Sequence, residues 1–206
     1  MKNPLHYQIS EYDCGPTAML NGISYLFERE EVPPEVIRNV MLYCLDCYSA
    51  EGVPGKSGTS RMAMMFLSNW LNAFGQVGRL NIDSSYLSGS EVFLGERSRI
   101  NDILRRGGAA VVRIYLDEWH YVTLTGAEDG KIKLFDPYYW TEELPGKEAV
   151  IVMDHPMEYN RIVPEKYFNR EELELYAFGP EEGREAVLLT NRETILTAER
   201  TIEYFI

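Results

Sequence analysis

Gln8 and Cys14 stand six residues apart in Gln8-Ile9-Ser10-Glu11-Tyr12-Asp13-Cys14-Gly15-Pro16-Thr17-Ala18, and the cysteine falls where a long apolar helix would begin. A thiol nucleophile is set up in this way. The positive end of a helix favours a thiolate, a Gly-Pro pair ends an extended segment and opens a helix, and an upstream amide can donate to an oxyanion. Cys14 is then the candidate nucleophile toward a carbonyl carbon, with Gln8 as one oxyanion donor beside the Cys14 backbone N–H. His120 is the candidate base, taking the thiol proton and returning it to the leaving amine, and Asp136 would fix the ring's tautomer and orientation. Of the other two histidines, His6 lies close to Gln8 and His155 precedes Pro156 in an expected loop. Taken singly, each residue has a plainer reading: a buried cysteine, a half-buried strand histidine, an Asp-Pro turn, an exposed glutamine. Their combination and spacing favour the catalytic one.

The elements that must position these residues follow from periodicity. Residues 15–27 are apolar on most sides until Glu28-Arg29-Glu30-Glu31 ends the run, which predicts a buried central helix. Pro33-Pro34 opens a second helix to about residue 47, and the Gly-rich loop 52–58 leads to a third over 59–74. A short helix over 99–106 is stopped by Gly107-Gly108. After it, 109–115, 119–126 and 131–136 read as strands, with further strands at 149–153, 173–178 and 186–190 and a closing amphipathic helix over 193–205. Helices first and antiparallel strands after predict an α+β fold in a single domain, with a mainly helical part over about 1–108 and a mainly β part over about 109–206.

One hairpin decides whether the base and its carboxylate meet. Glu128-Asp129-Gly130 reads as a three-residue link that pairs Ala127 with Lys131, Leu124 with Leu134 and Val122 with Asp136. His120, Val122 and Leu124 then share a face with Ile132, Leu134 and Asp136. In that register His120 and Asp136 are diagonal cross-strand neighbours at roughly 7–8 Å between backbones. A two-residue turn would split the apolar set and put them on opposite faces.

Gln8 with Asp13-Cys14-Gly15-Pro16-Thr17-Ala18, then His120-Tyr121-Val122-Thr123-Leu124-Thr125-Gly126, then Asp136-Pro137, resembles the papain-like cysteine peptidases of the bacteriocin-processing, double-glycine leader peptidase type. The resemblance covers about residues 5–136. It implies a papain-like fold with the nucleophile helix packed on a mostly antiparallel sheet, and a thioester intermediate on Cys14. It also implies a scissile bond after small residues such as Gly-Gly, and no cofactor or metal. Two other functions fit the same four residues: acyl transfer to an amine or thiol, and peptide binding without catalysis.

Composition narrows the partners. The 206 residues carry 32 acidic against 20 basic side chains, a formal charge of -12 that repels nucleic acid and anionic membrane surfaces, and the resemblance implies a peptide or protein substrate. The N-terminus lacks an apolar signal region, and three cysteines do not make a disulfide framework, so a cytoplasmic location is expected. Cys44 and Cys47, three apart on a predicted helix, are read as core packing rather than a metal site, because a second ligand pair is missing. Glu171, Glu172, Glu174, Glu181 and Glu182 read as a solvated acidic face. Trp119, Tyr121, Tyr138, Tyr139 and Trp140 flank the His and Asp and fit either a cleft wall or the core.

Overall fold

The computed structural model describes residues 1–140 and 148–196. The element order is α1 (Cys14–Leu26), α2 (Pro34–Cys44), α3 (Arg61–Gln76), β1 (Ile82–Ser88), α4 (Arg99–Arg105), β2 (Ala109–Leu116), β3 (Glu118–Glu128), β4 (Lys131–Phe135), β5 (Val150–Ile151), β6 (Arg161–Pro164) and β7 (Glu185–Asn191). Among the described residues the strands form one sheet in the order β1-β7-β2-β3-β4-β6-β5, every pair antiparallel. The protein is therefore α+β. No helix among the described residues is long and apolar enough to cross a membrane.

Local chemistry sets the helix ends. Pro34 stands at the first position of α2, while Ser60 and Ser98 cap α3 and α4 by accepting from Ala63 N and from Ile100 and Asn101 N. Strand alternation then makes two cores. Ala109, Val111 and Tyr121 face α1, α2 and α3, whereas Ala110, Val112, Ile114, Val122 and Leu124 face α4 and the segment carrying Phe168, Tyr176 and Phe178. Helix α1 lies close on the sheet: a Cβ at Gly22 would come within 2.9 Å of Leu189 Cδ1, and Thr123 Oγ1 donates to Ala18 O at 2.8 Å.

Several expectations need correction. Strand β1 lies inside the part read as mainly helical and forms an edge of the sheet on β7. Its sequence, Ile-Asp-Ser-Ser-Tyr-Leu-Ser, is too polar to announce a strand. Strand β6, four residues long, is a further addition to the expected set. Residues 173–178 are not a strand: Tyr176 N donates to Tyr115 O and Tyr115 N to Ala177 O, but Tyr176 at φ 67° turns the chain out of the extended region. Helix α2 ends at Cys44, so Cys47 lies beyond it and does not share a helical face with Cys44. Cys44 is wholly buried in the helix-side core, where burial pushes its thiol pKa up. Of the closing helix expected over 193–205, residues 197–205 lie outside the described residues, and 193–196 are a turn and irregular chain.

The β3–β4 hairpin reaches the expected pairing by a different device. Its turn is the two-residue Asp129-Gly130, both in the left-handed region at φ 50° and 69°, with Glu128 opposite Lys131. That register alone would place His120 and Asp136 on opposite faces. A bulge at Thr125 shifts it by one, so that Leu124 pairs with Leu134 and Thr123 with Phe135. The polar groups at the bulge are satisfied locally: Tyr25 of α1 donates to Thr125 O at 3.1 Å, and Thr125 Oγ1 donates to Lys133 O at 3.3 Å.

Candidate active site

Cys14 is the first residue of α1, where backbone N–H groups have no acceptor within the helix, and it is 8% exposed. The segment before it is tied down by a residue that sequence reasoning passed over. Asp13 stands at the helix cap but makes no side-chain cap bond. Its carboxylate instead accepts from Ile9 N at 2.9 Å, Ser10 N at 2.6 Å, Ser10 Oγ at 2.5 Å and Thr17 Oγ1 at 3.3 Å, closing residues 9–13 into a loop that sets Gln8 relative to Cys14. Burial raises the Asp13 pKa, but the hydrogen bonds from the Ser10 hydroxyl and the backbone outweigh it, and the net shift is downward. Ser10 three residues ahead of Asp13 was the available signal.

His120 Nε2 and Asp136 Oδ1 lie 2.8 Å apart, with the two residues 8% and 2% exposed. Since Nε2 faces Asp136, Nδ1 is the ring nitrogen left for Cys14. Burial lowers the imidazole pKa, while the Asp136 hydrogen bond, the Asp136 charge and the Cys14 sulfur raise it, carrying it up to about 10. Asp136 Oδ1 also accepts from Tyr138 N at 2.8 Å. His6 is exposed, and His155 pairs with exposed Asp154.

Gln8 shares a cleft with Cys14, His120 and Asp136. Its backbone N donates to Pro137 O at 2.8 Å, tying the oxyanion candidate to the Asp-Pro turn. Its Nε2 donates to Ser10 O at 2.7 Å, which leaves one N–H of the amide free, and its Oε1 is buried with no partner among the described residues. All four candidate residues are thus brought to one place.

The cleft has a volume of about 480 Å³. Its walls include Trp119, Tyr138 and Trp140, whereas Tyr121 is in the helix-side core and Tyr139 meets Tyr7 edge-on at 4.9 Å. The flanking aromatics therefore divide between wall and core. Trp119 is braced from behind: the Arg113 guanidinium stacks on its ring at 4.5 Å, and a Cβ on Gly179 would come within 2.6 Å of Trp119 Cη2. Glu171, Glu172, Glu174, Glu181 and Glu182 are exposed.

Gly15 leaves no room for a side chain, since a Cβ there would stand 2.1 Å from Thr59 Oγ1. Gly15→Ala must displace either the 59–60 loop or the start of α1, and with it Cys14. We expect a loss of about 1–3 kcal/mol in stability, together with at least ~10-fold lower turnover. Thermal melts paired with rate measurements check this; a Gly15→Ala variant as stable and active as the wild type would show that the contact is not restrictive.

Comparison of the chain with protein-family models finds none that matches, and comparison with curated proteins finds no match either.

Proposed function

We propose that this protein is a papain-like cysteine peptidase that hydrolyses a peptide bond through a thioester on Cys14. The observation that carries the reading is the buried His120–Asp136 pair at 2.8 Å, lining one cleft with Cys14 and Gln8. In the first step the Cys14 sulfur forms a bond to the substrate carbonyl carbon. The resulting oxyanion accepts from the Cys14 N–H and the free Gln8 Nε2–H. His120, protonated, gives its proton to the leaving amine as the C–N bond breaks and the thioester remains. Water, giving a proton to His120, then attacks the thioester carbon, and the C–S bond breaks to release the acid and the Cys14 thiolate, which leaves His120 protonated as at the start. Asp136 keeps the ring oriented throughout and stabilises its charged form. The substrate is a peptide or protein segment that fits a cleft walled by Trp119, Tyr138 and Trp140.

Incubation with a peptide library that includes Gly-Gly sequences, followed by mass spectrometry with and without added amine or thiol, tests this. The expected products are two peptides whose masses sum to substrate plus water, unchanged by the additive. Amide or thioester products outcompeting water would replace hydrolysis with acyl transfer on the same thioester. No reaction with any acyl substrate would reduce the site to peptide binding.

A further inference from the structure

Strand β4 stops one residue short of Asp136, and the last ladder pair there is Leu134 with Arg161. Asp136 therefore has no strand partner for its backbone, although it is 2% exposed. A side chain takes over that role. Asn160 Oδ1 accepts from Asp136 N at 2.7 Å, and Asn160 Nδ2 donates to Asp136 O at 2.8 Å. One amide thus holds both backbone polar groups of the residue that faces His120. Asn160 is itself anchored, its N donating to Leu134 O at 3.0 Å and its O accepting from Val152 N at 2.9 Å and from Arg161 Nη1 at 2.9 Å. With the peptide planes on either side of Asp136 held, only its two side-chain torsions remain, and the Tyr138 N–H and His120 bonds to Oδ1 set those.

Arg161 is the largest wholly buried side chain among the described residues. None of its nitrogens makes an ion pair there; its guanidinium donates to Asn160 O, to Trp140 O at 3.3 Å and to Tyr138 O at 3.5 Å. A buried cation spent on main-chain carbonyls is costly unless the geometry it holds is needed. Those carbonyls include Tyr138 and Trp140, whose side chains wall the cleft.

We propose that Asn160 and Arg161 are positioning residues of the candidate site: Asn160 aims Asp136 at His120, and Arg161 holds the cleft wall of Tyr138 and Trp140. The assignment rests on reading Cys14, His120 and Asp136 as the reacting groups, and it divides the two functions. Asn160 acts on the chemical step and Arg161 on substrate fit.

The test uses the full chain carrying Asn160→Ala or Arg161→Met, with histidines labelled for NMR and with steady-state kinetics on the best peptide found. In Asn160→Ala the His120 titration midpoint falls by about one unit or more, and kcat falls about 100-fold while KM stays within about twofold. In Arg161→Met, KM rises about 10-fold with a smaller change in kcat, and Arg161→Lys recovers part of the loss. A folded Asn160→Ala protein with the wild-type His120 titration and kcat overturns the role of Asn160. A wild-type KM in Arg161→Met overturns that of Arg161. If Asn160→Ala does not fold, Asn160→Ser, whose hydroxyl cannot span both backbone groups, is read by the same criteria. Absence of turnover in the wild type would sink the peptidase reading alone, since the His120 shift still decides whether Asn160 aims Asp136.

Discussion

Cys14→Ala removes turnover by about 10⁴-fold or more while the protein stays folded. The loss is this large because no other group among the described cleft residues offers a comparable nucleophile. His120 and Asp136 are committed to each other, and Cys44 is wholly buried elsewhere in the core. Folding survives because α1 is held by many other contacts: Ala18, Met19 and Ile23 are buried at 0–1% exposure, and Asn21 exchanges hydrogen bonds with the His6 backbone at 2.7 and 2.9 Å. The substitution is not free, since Cys14 is itself 8% exposed within the helix-side core, and a cost of about 1 kcal/mol is expected for the deleted sulfur. Steady-state rates alongside circular dichroism and denaturant melts make the measurement. Hydrolysis by a folded Cys14→Ala protein at the wild-type rate would end the assignment of Cys14 as nucleophile.

The second large effect is on His120. Its imidazole is expected to stay protonated well past neutral pH, because Asp136 and Cys14 together outweigh burial and carry its pKa up to about 10. Asp136→Asn removes the stronger of those two influences and lowers the titration midpoint, and Cys14→Ala lowers it by less. In the double variant burial alone remains, so the midpoint falls below the ordinary value of about 6.5. Asp136→Asn also loses about 10²- to 10⁴-fold in turnover through the wrong tautomer and a poorly held ring. Three histidines make the NMR titration simple to assign.

The same shift has a consequence for stability. The folded pKa of His120 lies above its unfolded value, so its contribution is complete below about pH 6.5 and is lost as pH rises through about 10. Denaturant melts at both ends of that window should show the wild type losing more stability with rising pH than His120→Ala. A His120 midpoint near 6.5 in the wild type, unmoved by Asp136→Asn, would remove the pairing on which the catalytic reading depends.

Much of the candidate site is legible in the residues alone, and for identifiable reasons. The helix after Cys14 is announced by Gly15-Pro16 and an unbroken apolar run, both local signals that need no tertiary context. Strands β2, β3 and β4 announce themselves through β-branched alternation. Their shared face follows because a misregistered pairing would have exposed Leu124 or Leu134. The means of reaching that register is not legible. Asp129-Gly130 makes the tighter two-residue turn, and the bulge at Thr125 restores the register. A bulge leaves no compositional trace, since any residue can be the extra one; here the tyrosine hydroxyl of α1 that satisfies its carbonyl comes from 100 residues earlier in the chain.

The sequence by itself determined the α+β class and the central buried helix with its cysteine at the N-terminal end, because each follows from short-range periodicity; the apolar pattern of the hairpin also put His120 and Asp136 on one face, but by a three-residue link that the structure replaces with a two-residue turn and a bulge. The tertiary structure alone decided the rest. It brought polar β1 to the sheet edge, where pairing with β7 outweighs weak intrinsic preference. It turned residues 173–178 out of the sheet at Tyr176. It divided the aromatics around the site between cleft and core, and it set Asn160 against the backbone of Asp136 across 24 residues of sequence. Those outcomes depend on which distant groups meet, and neither periodicity nor spacing carries that information.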